Sequence, residues 1–382
     1  MNIRLVVLSV LALLVAEGCN SCSGEDTSPV DPKQKAEGLY IVATAQYLQG
    51  EFDKALDLLN QSKALNPDDP RLPAAYGEIY LSQGKLNEAL AQFETATAKD
   101  PKRSTNWSRL GYIQAQLGKR EEARSSVRKA LALFPQDFNA LEQLAELELK
   151  DGNRDDAVKH LIMAGEAAPD LNKKDLFLRA ADILVKSNRE PDAALMLKNA
   201  VTKDPKLSGE VFARLGELDA LEGDLEGALA AYLVAAKRLT HDPVPWEIVG
   251  EIYMHKDKPG DAEAAWRESL RIEDRAIVHV QLARLHLKRK ENDAANEELD
   301  AALKAAKGDD THETVELADL LTEMNRKPDA LKLLGVVAGE EENLTDSSLQ
   351  LKTARLAKEL KDSAAMATAC SRVLDAGIKK CP

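Results

Sequence analysis

Aromatic residues are scarce in this chain of 382 residues. Phe, Trp and Tyr make up 4%, whereas hydrophobic residues reach 44%. A core must therefore be built mainly from Ala, Leu and Val, and side chains of that kind suit closely packed helices better than a β-sandwich. Cysteine is equally sparse. Cys19, Cys22, Cys370 and Cys381 lie near the two ends, and none has the repeated Cys/His spacing of a structural zinc site. Positive charge is in deficit, with 51 Lys and Arg against 64 Asp and Glu and a net charge of −13. An acidic chain repels phosphate backbones, which argues against nucleic acid and for a basic or apolar protein partner. Gly-rich phosphate loops, HExxH and GxSxG are all missing. No catalytic residue, cofactor, metal or small-molecule substrate is expected.

The first residues read as an export signal. Arg4 precedes an apolar stretch from Leu5 to Val15, shorter than the roughly 20 residues that a membrane-spanning helix needs. It has the length of a signal-peptide core, and Ala16 and Gly18 fit cleavage after Gly18. The Gly18-Cys19 step resembles the lipobox of bacterial lipoproteins, in which the Cys is lipidated and becomes the mature first residue. Glu17 and Ala16 depart from that motif, so a plain secreted protein with unmodified Cys19 is the alternative. Asn20 lacks the acidic side chain associated with inner-membrane retention. The resemblance therefore implies an outer-membrane lipoprotein facing the periplasm, with a periplasmic or secreted protein as the alternative. Residues 19–35, polar with two prolines, read as a tether.

Beyond the tether the sequence is periodic. Gly50, Gly84, Gly118 and Gly152 recur every 34 residues, as do Ala55, Ala89, Ala123 and Ala157, and Pro67, Pro101, Pro135 and Pro169. Each period reads as helix, turn, helix. Between Pro101 and Pro135, Trp107, Leu110, Gly111, Ile113 and Leu117 fall at helical spacing, and Gly118 ends that helix. Ala123, Val127, Ala130 and Leu131 mark a second helix, which Pro135 closes.

These positions resemble the tetratricopeptide repeat, whose pattern is W-x₂-L-G-x₂-Y, then A-x₃-F, then Pro. Tyr76, Gly77, Tyr80, Ala89, Phe93 and Pro101 match it, as do Trp107, Leu110, Gly111, Ala123 and Pro135, and Trp246, Gly250, Tyr253 and Ala262. The resemblance implies an all-α, right-handed solenoid of stacked helical hairpins. About nine repeats are expected over residues 36–342, beginning near 36, 70, 104, 138, 174, 209, 243, 276 and 311. Residues 343–382 are expected to form a capping hairpin and tail. A signal segment over 1–18 and the tether over 19–35 complete the division.

The resemblance further implies that the fifth, ninth and twelfth residues of each repeat face a partner-binding groove. Six of the nine residues at the ninth place are acidic, among them Glu78, Glu146, Asp182, Glu217 and Glu251, with Tyr112 an exception. The twelfth places are mostly apolar, among them Leu149, Val185 and Met254. An acidic row beside an apolar row fits a basic, amphipathic peptide or helix. The competing expectation is a solvated face on which these acids pair with neighbours such as Lys150, Lys186 and Lys288. His279 and His286 are two helical turns apart, about 10 Å, too far to share a metal ion. The expected function is a protein-binding scaffold of the cell envelope, with an unanchored, chaperone-like periplasmic or secreted protein as the alternative.

Overall fold

How closely two helices approach depends on the smallest side chains between them. In the computed structural model of the protein, which describes residues 31–306, 311–339 and 346–375, the alanines at the twentieth place of the repeat have no exposed surface. They include Ala55, Ala89, Ala123 and Ala157, and later Ala228, Ala262, Ala295 and Ala330. Seven places further on, Ala96, Ala130, Ala164, Ala235 and Ala302 are fully buried as well. Where serine replaces alanine there, its hydroxyl finds an acceptor: Ser62 donates to the Ala36 carbonyl at 2.8 Å, and Ser269 to Glu247 at 3.1 Å.

The described residues form twenty helices and no strand. Contacts divide the chain after Met196 into two compact units. The first holds α1 (Pro32–Leu48), α2 (Phe52–Leu65), α3 (Leu72–Ser82), α4 (Leu86–Lys99), α5 (Ser104–Gln116), α6 (Arg120–Leu133), α7 (Phe138–Lys150), α8 (Arg154–Ala167) and α9 (Asp170–Val185). Helix α10 (Glu190–Lys203) contains the division. The second unit continues with α11 (Gly209–Leu221), α12 (Leu225–Arg238), α13 (Val244–His255), α14 (Pro259–Ile272), α15 (Ala276–Lys288), α16 (Asn292–Ala305), α17 (Thr311–Glu323), α18 (Lys327–Val337), α19 (Ser347–Glu359) and α20 (Ser363–Asp375). Within each unit, helices pack on their neighbours in sequence, which is the all-α solenoid of stacked hairpins.

Helix α1 begins at Pro32, inside the segment read as a tether. Asp31 accepts a hydrogen bond from the Lys33 amide, and proline suits the first helical position. Helix α9 starts at Asp170, four residues before the expected repeat boundary at 174. Pro169 stands at its N-cap, so the two-residue insertion is absorbed as an extra turn of helix. The signal segment, most of the tether, Cys19 and Cys22 lie outside the described residues, as do Cys381 and the C-terminal tail. Cys370 is disulfide-bonded.

The turn inside each hairpin needs a left-handed residue. Gly84 (φ +73°) and Gly118 (φ +77°) supply it without strain, whereas Asp257, Lys290 and Lys361 adopt it at φ of 54°, 62° and 60°. Volume is exchanged in the helix-to-helix contact itself. Gly77, Gly216 and Gly250 face Phe93, Tyr232 and Trp266, each sixteen residues later. At the same spacing Ala43, Ala145, Ala283 and Ala318 are followed by buried Leu59, Leu161, Leu299 and Leu334. Glycine with an aromatic ring and alanine with leucine fill similar space. Gly111 departs from this rule, because Val127 stands opposite it.

Candidate protein-binding faces

The first helices of hairpins one to four surround a cavity of about 370 Å³ in the first unit. Its floor is apolar, formed by Ala43, Leu59, Ala74, Ala75, Ile79 and Phe93. Tyr40, Thr44 and Tyr47 border it from α1, and Ser108, Arg109 and Asn139 from α5 and α7. The Tyr47 hydroxyl lies 3.1 Å from Ser82 Oγ, which fixes that ring at the edge. Arg71 sits 4.4 Å above the Tyr40 ring and pairs with Glu37 and Asp69, clamping the first hairpin to the second.

The acids expected to face a partner are mostly engaged already. Glu78 is half-buried and its carboxylate lies 2.7 Å from Arg109 Nε on the next hairpin. Burial pushes its pKa up, and Arg109 opposes that rise. Glu146 pairs with Arg179, which also reaches Glu142 at 2.5 Å. Asp319 meets Lys352 at 2.5 Å. In each case the ninth residue of one repeat meets the sixth of the next. Arg284 and Glu316 make the same contact at 3.6 Å with the charges exchanged. The cations are thus not Lys150, Lys186 and Lys288 on the same helices but residues one repeat on. A basic sixth residue (Arg109, Arg179, Arg214, Lys352) is itself a periodic signal in the sequence.

Where the sixth residue is not basic, the acid is left differently. Glu217 is followed one repeat on by Ile248 and pairs with Arg214 of its own helix at 2.7 Å. Glu251 is followed by Gln281 and forms no ion pair among the described residues. It borders a second cavity, of about 500 Å³ in the second unit, with Met254, His255, Arg284, Leu287 and Leu320. The Glu251 side chain is open to solvent at its edge, yet burial of the remainder raises its pKa and nearby His255 lowers it. Of the remaining expected residues, Tyr112 and Asp182 are exposed and Leu149 and Val185 half-buried, and none of the four lines either cavity. Three of the six ninth-place acids, Glu78, Glu146 and Asp319, are thus paired with the following repeat, while Glu78 lines the cavity of the first unit and Glu251 and Met254 that of the second.

Buried charge marks two repeat junctions. Arg124 contacts Glu148 at 2.7 Å, and Asn153 donates to the other Glu148 oxygen at 2.7 Å. His279 contacts Glu298 through Nδ1 at 2.6 Å and Asp274 through Nε2 at 2.8 Å, while Arg267 reaches Glu298 at 2.6 Å. His279 therefore fills its packing position with both ring nitrogens engaged. Among the described residues no cluster of His, Cys, Asp and Glu is placed to hold a metal ion, and no helix is long and apolar enough to cross a membrane.

Two family profiles described as tetratricopeptide repeat match residues 46–117 and 109–170. A comparison with curated proteins finds no match. Among solved structures, a tetratricopeptide repeat protein from Parabacteroides merdae is 17% identical over 71% of this chain and 99% of its own, with a TM-score of 0.37. PilW, a type IV pilus biogenesis factor, is 16% identical over 53% of this chain and 93% of its own, with a TM-score of 0.40. The first repeat domain of Spaghetti (RPAP3), bound to an HSP90 peptide, is 27% identical over 31% of this chain and 95% of its own, with a TM-score of 0.30.

Proposed function

Because the chain belongs to the tetratricopeptide repeat family, we propose that it is a protein-binding scaffold of the bacterial cell envelope that holds a partner segment against its first helices. The observation that carries this reading is the cavity of the first unit, with an apolar floor and a rim of Thr44, Tyr47, Ser108 and Asn139. A floor of that kind suits an apolar or aromatic side chain of the partner, while rim hydroxyls and amides suit its backbone. Since Glu78 and Glu146 are already paired, a basic residue of the partner is better received in the second unit, beside Glu251. Repeats of this family characteristically bind proteins, and the role proposed is a non-enzymatic one.

Export and anchoring belong to the same proposal. Leu5–Val15 and Gly18-Cys19 support a lipidated Cys19 at the outer membrane, facing the periplasm. The second reading, a soluble periplasmic or secreted chaperone-like protein, keeps Cys19 unmodified. Labelled palmitate incorporated into the parent and absent from Cys19→Ala separates the two.

The binding reading is tested with a photo-crosslinking residue at Tyr47, compared with one at Ser125 on the opposite side of a hairpin. Adducts are expected at position 47 and not at 125, and Ala74→Trp, which fills the cavity, should abolish them. Equal adducts at both positions, or adducts indifferent to Ala74→Trp, would overturn it.

A further inference from the structure

The stretch between Pro101 and Asp137, which spans the third repeat and the two residues before it, reverses the charge of the chain. Residues 102–135 contain eight Lys and Arg against two Glu, a local charge of +6 within a net −13. Four of these cations are taken up by ion pairs: Arg103 with Asp100, Arg109 with Glu78, Arg120 with Asp151 and Arg124 with Glu148. Lys102, Lys119 and Arg128 form no ion pair among the described residues and are exposed. Lys129 is exposed too, with its ammonium 4.2 Å above the Trp107 ring. The Trp107 indole donates to the Pro101 carbonyl at 2.9 Å, which brings Lys102 to the same edge. One turn beyond Lys129, Leu133 and Phe134 end α6 and are 43% and 50% exposed. The two glutamates, Glu121 and Glu122, sit in the first turn of α6, about 10 Å along the helix from Lys129.

We propose that this edge of the third repeat, comprising Lys102, Trp107, Arg128, Lys129, Leu133 and Phe134, is a docking surface for an anionic lipid membrane. None of these six residues lines the cavity of the first unit. Cations flanking exposed apolar side chains at a helix end are what an interfacial contact requires. The ammonium and guanidinium groups meet headgroup phosphates while leucine and phenylalanine enter the boundary beneath. No cavity receives a complementary side chain here, so a yielding headgroup layer suits the surface better than a shaped acidic protein. The acidic remainder of the chain does not prevent contact, because at physiological salt its repulsion decays over about 8 Å.

The test is sedimentation of the full chain with vesicles of phosphatidylcholine alone or mixed with phosphatidylglycerol. Any contribution of residues 1–18 is common to both vesicles and to every variant. The parent should bind the anionic vesicles more tightly and release with added salt. Each cation removed in Lys102→Gln, Arg128→Gln and Lys129→Gln should weaken that binding about fivefold. Leu133→Ser with Phe134→Ser should weaken it as well, while Lys119→Gln, at the other end of α5, should not. Circular dichroism melting confirms that each variant is folded. Equal binding to both vesicle types, or a triple cation variant that binds as the parent does, overturns the proposal. So does full competition by polyglutamate combined with parental binding by the Leu133/Phe134 variant, which would assign the surface to an acidic protein.

Discussion

Trp266 covers Gly250 so closely that a Cβ on the glycine would lie 2.2 Å from the indole Nε1. The same indole donates to the Glu247 carbonyl at 3.2 Å and is almost wholly buried, so withdrawing the ring would cost that hydrogen bond. Gly250→Ala should therefore destabilise the second unit by about 1–3 kcal/mol through overpacking. For a unit of this size that lowers Tm by roughly 2–4 °C for each kcal/mol. Adding Trp266→Leu should restore part of the loss, because alanine followed by leucine is the combination used at Ala283 and Leu299. Calorimetry of the two single variants and the double variant measures this, and strictly additive losses would contradict the volume exchange.

Gly111→Leu should likewise lower the thermal midpoint, since a Cβ there meets Val127 Cγ2 at 2.6 Å and the Ala123 carbonyl at 3.2 Å. The register of the repeat is wrong if the midpoint stays where it was.

The contact between ninth and sixth residues predicts a charge-swap result. Glu78→Arg alone should destabilise, because it faces Arg109 with like charge. Glu78→Arg with Arg109→Glu should recover most of the loss, as the reversed pair Arg284–Glu316 already occurs in the chain. Both side chains are partly exposed, so the coupling in a urea double-mutant cycle should be only about 0.2–1 kcal/mol.

The junction between the seventh and eighth repeats should respond to pH. Burial opposes charge on His279, but hydrogen bonds to Glu298 and Asp274 outweigh it and raise its pKa above the ordinary 6.5. Burial pushes Glu298 up, and its bonds to His279 and Arg267 pull it lower still, to below 4.5. A raised histidine contributes stability that is complete below the unfolded value and lost as pH climbs through the folded one. A lowered carboxylate contributes stability that is complete above its unfolded value and lost as pH falls through the folded one. Protection of the α15 and α16 amides, taken relative to their intrinsic exchange rate at each pH, should thus be greatest between about pH 4.5 and 6.5. His279→Gln should remove the loss of protection on the alkaline side, and an unchanged alkaline slope would refute the assignment.

Backbone strain supplies a fifth prediction. Lys290→Gly and Lys361→Gly should each stabilise by about 1 kcal/mol, since lysine at positive φ is strained and glycine is not. Gly84→Ala should do the reverse. Chemical denaturation midpoints distinguish the signs.

The periodic part of the fold was legible because Gly, Ala and Pro recur where backbone sign, helix spacing and helix termination demand them. It fades in the second unit for a physical reason. Asp257, Lys290, Asn325 and Lys361 take the left-handed conformation at their turns without glycine, so the punctuation disappears while the geometry persists. Helix α1 begins inside the segment that reads as a tether, because proline, a breaker within a helix, fits at the first helical position. The faces were less legible than the fold. Reading the ninth residues in isolation gave an acidic row, whereas Arg109, Arg179 and Lys352 stand on the adjoining helices and belong to the same contacts. Clustering of Trp107, Lys129 and Phe134 at one edge depends on where α6 ends, which composition alone does not reveal.

The reversed pair has a consequence for the order of the modules. Removing the eighth repeat, residues 276–310, would bring the sixth residue of the ninth repeat, Glu316, opposite the ninth residue of the seventh, Glu251. Acid would then face acid at the new junction. Repeats of this chain are therefore not interchangeable beads. Those with a charged sixth residue, such as Arg109, Arg179, Glu316 and Lys352, bear a charge key cut for their predecessor, and duplication or loss of such a module is tolerated only where the keys on either side still match.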